Sequence, residues 1–244
     1  MKEKYIVVFD SGIGGLTVLD DLCRAMPSEN FIYIADNKNT PYGSLPDSTL
    51  LRFSLNSLSV LSEYCIKGLV LGCNTLSVSV RRDLERILNY PVFGVFPPIE
   101  SSIFKGERVL LLATPKTVCK YPNYSNLTKL SLPTLAKEIE DNAFNLSNIN
   151  LNNHIAIKKL QKLQYDRVIL GCTHYFFIKN KILDHFCPKN IDSGNHFTVD
   201  YVSKFFLKRK SLGKTYRKRI LFLGDNAEKN KKIYYEVVKK HYFC

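Results

Sequence analysis

No apolar run in these 244 residues approaches the roughly 20 that a membrane-spanning helix needs, which excludes a helical membrane protein and a membrane partner. The opening MKEKYIVVFD holds only a short apolar run, stopped by Asp10; it is too short for a signal-peptide core and reads as a first strand, so a cytoplasmic protein is expected. No CxxC pair occurs. The seven cysteines (Cys23, Cys65, Cys73, Cys119, Cys172, Cys187 and Cys244) are odd in number, which argues against a disulfide framework and against a zinc ribbon or finger. Reduced thiols are expected. Histidine is scarce: of His154, His174, His185, His196 and His241, only His174 adjoins a candidate site. Cys172 and His174 make at most two ligands, so no metal is expected.

Acidic residues are in short supply, 22 against 35 Lys and Arg, for a formal net charge of +13. Such a balance suits nucleic-acid binding or the attraction of small anions. It also follows from a composition rich in Lys, Asn, Ile, Tyr and Phe. The densest basic run, KRKSLGKTYRKR (208–219), has no interleaved aromatic beyond Tyr216 and matches no named nucleic-acid module. A solvated loop before a strand accounts for it, and no nucleic-acid partner is expected.

Seven short apolar runs recur: YIVVFD (5–10), FIYIAD (31–36), GLVLGC (68–73), VFGV (92–95), RVLLLAT (108–114), RVILGC (167–172) and RILFLG (219–224). They are mostly apolar rather than alternating, as strands buried on both faces are. Helical spacing lies between them, in LTVLDDLCRAM (16–26), TLLRFSLNSLSVLSEYC (49–65) and SVRRDLERILN (79–89). The Asn-rich NLSNINLNNH (145–154) reads as a loop. Alternating strands and helices give the α/β class with a mainly parallel sheet.

Two of the runs end alike, LVLGCNT at 69–75 and VILGCTH at 168–174. The echo suggests two similar α/β domains facing each other. In parallel sheets ligands bind beyond the carboxyl ends of the strands, and both LGC cysteines fall there, each before a helical stretch. A helix N-terminus favours a thiolate. Asn74, Thr75, Thr173 and His174 carry groups able to hydrogen-bond a ligand or the thiolate. The turn FDSGIGGLTVL (9–19) is a ready anion site, yet Thr17 stands where the dinucleotide fingerprint needs its third glycine, and no GxxxxGK[ST] loop occurs. There Asp10 suits an ammonium and Ser11 a carboxylate. NTPYG (39–43) is a turn that lays Tyr42 along a pocket, and ATPKT (113–117) offers the hydroxyls of Thr114 and Thr117 to the same cleft.

Taken together, these segments resemble glutamate racemase, within the cofactor-independent amino-acid racemase superfamily. The resemblance is carried by DSGIGG (10–15), PYG (41–43), CNT (73–75), CTHY (172–175) and DSG (192–194), in order and across most of the chain. LAKEIE (135–140) resembles a degenerate form of a family segment and puts Glu140 in its role. The resemblance implies two parallel-sheet α/β domains related by a pseudo-twofold axis, with the active site in the cleft between them. The first would hold residues 1–96 and 208–244, the second 97–207.

It further implies racemisation of L- and D-glutamate for peptidoglycan synthesis, without a cofactor, in a homodimer. Cys73 would take the proton from D-glutamate and Cys172 from L-glutamate, assisted by Asp10 and His174. Asp10, Ser11, Pro41, Tyr42, Gly43, Asn74, Thr75, Thr173 and His174 would bind the substrate. The chain departs from the family pattern at Leu76, at Phe96-Pro97-Pro98 and at Phe176-Phe177, which bears on pocket size and packing. An aspartate or other amino-acid racemase, an inactive glutamate-binding homologue and a nucleic-acid-binding protein are the alternatives.

Overall fold

The computed structural model of the chain describes residues 3–160, 163–208 and 219–241. Of the basic run at 208–219, all but its two end residues lies outside the described residues, as does Cys244. The strands form two parallel sheets. The first contains β1 (Lys4–Asp10), β2 (Asn30–Ala35), β3 (Cys65–Leu71) and β4 (Val92–Gly94); the second contains β5 (Val109–Ala113), β6 (Leu127–Ser131), β7 (Arg167–Gly171) and β8 (Asn190–Ser193). A last strand, β9 (Ile220–Leu223), returns to the first sheet. The orders are β4-β3-β1-β2-β9 and β6-β5-β7-β8.

All seven expected strands form. The two additional ones, β6 and β8, are short edges. LTKLS and NIDS are mostly half-exposed, so they lack the continuous apolar run that marks the buried strands. The helix expected over 49–65 ends earlier. It runs Asp47–Leu58, a tight 3₁₀ turn follows at Ser59–Glu63, and Cys65 already opens β3. The helix expected over 79–89 is split at Val80 into Asn74–Ser79 and Arg81–Ile87, which places a helix start directly after Cys73. The Asn-rich segment winds into two short 3₁₀ turns, Leu146–Asn148 and Leu151–Asn153.

Both faces of the central strands are buried. Ile6 and Val8 of β1 face a core shared with the helix Gly15–Ala25, with Leu110 and Leu112 of β5, and with Val168 and Leu170 of β7. Tyr5, Val7 and Phe9 point the other way, into a core with Leu50, Leu58, Leu69 and Leu71. One apolar core thus runs across the two sheets and presses their carboxyl ends together. The chain passes between the sheets twice, near Phe96 and near Gly194, and the passages touch. A Cβ on Gly194 would lie 2.1 Å from the Phe96 carbonyl oxygen, so no larger residue fits. The helix Asn195–Lys208 then packs on Gly15–Ala25, where Asn195 Nδ2 donates to Thr17 Oγ1 at 3.1 Å. Among the described residues no helix is long and apolar enough to cross a membrane.

Candidate active site

Loops from the carboxyl ends of β1, β2, β3, β5 and β7 converge on one small cavity. Its walls are Ser11, Pro41, Tyr42, Gly43, Cys73, Asn74, Thr75, Thr114, Ala136, Cys172 and His174. Cys73 caps the helix Asn74–Ser79, and Cys172 caps the 3₁₀ turn Thr173–Ile178. Each thiol is only 7% exposed.

Behind each thiol stands a relay ending in a carboxylate. On one side Ser11 Oγ lies 3.7 Å from Cys73 Sγ and 3.4 Å from Asp10 Oδ1. Asp10 also accepts from the Gly12 N–H at 2.7 Å and from Thr173 Oγ1 at 3.4 Å. On the other side His174 Nδ1 lies 3.9 Å from Cys172 Sγ, and His174 Nε2 lies 2.9 Å from Glu140 Oε2. Glu140 accepts from the Ile13 N–H at 2.9 Å and from Asn37 Nδ2 at 2.6 Å.

The two sides differ electrostatically. Burial, reinforced by the Asp10 charge, pushes the Cys73 thiol up from 9.0 to about 12, although the Leu76 N–H and Ser11 oppose this. Burial also raises Asp10 from 3.8 to about 6, with the His174 charge and the Gly12 N–H pulling the other way. Across the cleft, burial opposes both charges of the Glu140–His174 pair and is outweighed. The hydrogen bond and charge of His174, with the Ile13 N–H and the Asn37 amide, hold Glu140 below its usual range. Cys172 and Glu140 together hold the imidazole well above its own.

Among the expected binding residues, Asp10, Thr173, Thr117 and Glu140 stand behind the cavity wall rather than in it. Thr117 is buried under Thr114, whose hydroxyl reaches both Thr117 Oγ1 at 3.1 Å and Thr75 Oγ1 at 2.9 Å. Tyr42 turns its hydroxyl to Asp36 at 2.5 Å, leaving its ring and backbone at the cavity. Asn74 donates to the Val95 carbonyl at 3.0 Å, while its Oδ1 is buried and has no hydrogen-bond partner. A larger groove of about 850 Å³, lined by Arg81, Arg82, Lys120 and Phe197 among others, contains no thiol. Among the described residues no group of three or more His, Cys, Asp or Glu is arranged to hold a metal.

The chain is similar to named proteins over most of its length. The chain is 34% identical over 223 residues to glutamate racemase 2 of Bacillus subtilis, covering 84% of this chain and 83% of that protein. The chain belongs to the glutamate racemase family. The glutamate racemase of Clostridium novyi is 30% identical over 242 residues, covering 92% of each chain. Two solved glutamate racemases share the fold. The Thermus thermophilus enzyme, in complex with β-chloro-D-alanine, superposes with a TM-score of 0.77 at 29% identity over 96% of this chain and 92% of that one. Isoform RacE1 of Bacillus anthracis gives 0.79 at 25% identity over 100% and 96%. No protein-family profile matches the chain.

The departures from the glutamate racemase pattern lie off the cavity wall. Leu76 is buried in the core around β3, while Phe176 and Phe177 pack on the large shared core; none of the three lines the cavity. The DSG segment lies elsewhere too. Asp192 pairs with Arg167, and Gly194 makes room for Phe96. Sequence reasoning missed Ala136, Asp36 and Asn37. Ala136 follows from the LAKEIE helix that carries Glu140. Asp36 ends the run FIYIAD and Asn37 follows it, two residues before NTPYG, where the turn and Tyr42 were legible.

Proposed function

We propose that this protein interconverts L- and D-glutamate without a cofactor, using Cys73 and Cys172 as the two bases. The observation that carries this reading is the pair of buried thiols at equivalent strand ends, each with a carboxylate relay behind it. A racemase must take the Cα proton from one face and supply one to the other, so one sulfur must be thiolate while the other is thiol. Ionisation is disfavoured at Cys73, so it rests as the acid. Cys172 lies beside the charged His174, and this reading gives it the role of base toward L-glutamate. As the proton leaves Cα for Cys172, Cys73 delivers its own to the opposite face. The cycle closes when the proton gained by Cys172 is released to solvent and Cys73 takes one up, Ser11 and Asp10 orienting that thiol; the roles reverse for D-glutamate.

Substrate binding follows from the wall. The free acceptor of Asn74 takes an ammonium N–H. The hydroxyls of Ser11, Thr75 and Thr114 and the backbone at Tyr42–Gly43 hold the carboxylates. These oriented donors stabilise the carbanion within a site closed to water.

The two-domain division belongs to the same proposal. Residues up to about Phe96 and the C-terminal stretch form one unit. The expected division puts the return at 208; the packing of the helix Asn195–Lys208 on the first sheet's helix supports drawing it nearer Gly194. A cytoplasmic homodimer supplying D-glutamate for peptidoglycan is the setting this activity fits.

Incubation of the purified protein with L-glutamate in D2O, with no cofactor added, tests the reading. Deuterium at Cα together with loss of optical rotation is expected. Exchange with aspartate but not glutamate reassigns the substrate, and no exchange with any acidic amino acid refutes the activity. Cys73→Ser and Cys172→Ser are each expected to cut racemisation by about 10³-fold. Near-normal turnover in either variant overturns the two-base assignment.

A further inference from the structure

We infer that Asn37, held in place by Asn230, is a positioning residue for proton transfer at Cys172, fixing Glu140 behind His174. A hydrogen-bond chain runs inward from the C-terminal helix Ala227–Ile233. Asn230 Nδ2 donates to Asn37 Oδ1 at 2.9 Å, and Asn37 Nδ2 donates to Glu140 Oε1 at 2.6 Å. Glu140 Oε2 meets His174 Nε2, whose ring reaches Cys172.

Chemistry dictates the direction of this chain. A carboxylate only accepts, so Asn37 must turn its NH2 group to Glu140 and its oxygen to Asn230. Asn230 must then donate, and its own Oδ1 is buried without a hydrogen-bond partner. A buried acceptor left unmade costs stability. The orientation is therefore set from the Glu140 end, at the C-terminal helix's expense.

Glu140 needs this donor. It is buried, and the titratable groups that face it are His174 from beyond β7, Asp10 from the end of β1 and the Tyr33 hydroxyl from β2. Asp10 and Tyr33 do not help it ionise; His174, the Ile13 N–H and Asn37 do. If Glu140 took up a proton, His174 would lose its counter-charge, and Cys172 its charged partner. Neither asparagine lines the cavity. On the Cys73 side the hydrogen bonds of Asp10 are with Ser11, Gly12 and Thr173, and Asp10 feels Glu140 and His174 only through their charges, so Asn37 acts first at Cys172.

This inference rests on the two-base reading for its kinetic consequence but not for its electrostatic one, and the test uses both. Carbon-13 carboxyl titration of the full chain labelled at Glu is compared in wild type, Asn37→Leu, Asn37→Ala and Asn230→Ala. The Glu140 signal is identified from Glu140→Gln. Its titration is expected to move up by about one to two pH units in both Asn37 variants, the loss of one hydrogen bond to a charge. It should move clearly less in Asn230→Ala, which leaves the donor to Glu140 in place. A purely structural role predicts the reverse order, because Asn230 is 1% exposed and Asn37 is half-buried. Either that reverse order or no shift overturns the inference.

With 2-deuterated glutamates, the Asn37 variants should raise the primary isotope effect from the L-enantiomer and lower it from the D-enantiomer, with KM held. Equal changes in both directions, or a rise in KM alone, also overturn it. A titration shift in a wild-type background that exchanges no Cα hydrogen would instead refute the racemase reading and leave the electrostatic role of Asn37 standing.

Discussion

Asp10 ionises against its surroundings, and that carries a stability consequence. Its folded value, about 6, lies above the ordinary 3.8. A carboxyl raised on folding contributes its stability below pH 3.8 and loses it as the pH climbs through 6. Asp10→Asn keeps an acceptor for the Gly12 N–H and removes the charge. It is expected to raise stability at pH 8 by up to about 3 kcal/mol, the free energy of a shift of this size, with the gain vanishing below pH 4. Denaturant unfolding at the two pH values measures this, and equal stability at pH 8 would count against it. Racemisation should fall in the same variant, because Ser11 loses the carboxylate behind it. The sequence showed Asp10, Ser11, the two cysteines and His174, because each sits in a short motif at a strand end. It did not show which of them touch the cavity. Thr117 and Thr173 read as binding residues, yet their hydroxyls are spent on Thr114 and on Asp10. Thr117 is only three residues from Thr114, but Thr173 is 163 from Asp10 and His174 is 34 from Glu140, and partnerships at such separations leave no local pattern.

At the scale of elements, the turn from β1 into the helix Gly15–Ala25 is where the two sheets meet. The Ile13 N–H crosses to Glu140, and a Cβ on Gly14 would lie 2.4 Å from Thr173 Oγ1 and 2.6 Å from His174 Nδ1. Gly14 is thus bare because the opposing turn occupies its side-chain space. Gly14→Ala is expected to destabilise the fold by about 1–3 kcal/mol, as overpacking does, and to lower activity further by displacing His174. Thermal unfolding and turnover of the variant check both, and a neutral outcome in both would refute the close approach. Strand–helix alternation, and hence the α/β class, was legible because both faces of the central strands are buried and the runs are continuously apolar. The edge strands β6 and β8 were illegible for the complementary reason. One face of each meets solvent, and Lys129 and Asp192 interrupt them.

At the scale of the whole molecule, the halves close tightly over the thiols. Asp47, on the helix after β2, accepts from Lys116 Nζ at 2.6 Å, and the Lys116 N–H donates to the Gly43 carbonyl at 2.9 Å, so the loops after β2 and β5 are joined above the cavity. What remains inside is about 10 Å³, about the room of one water molecule, so the site as it stands is closed. The echo of LGC foretold two facing halves but not how little space they leave. With iodoacetamide, exposed Cys119 and Cys187 are expected to label fast and Cys73 and Cys172 slowly, as peptide mapping would show. Equal rates for all four would mean the halves stand open. The same closure has a meaning for survival. A thiol kept reactive enough to pull a proton from carbon is also a target for peroxides and metals. In this fold such agents meet the exposed Cys119 and Cys187 before they meet the two buried thiols, so surface sulfur is spent ahead of the catalyst.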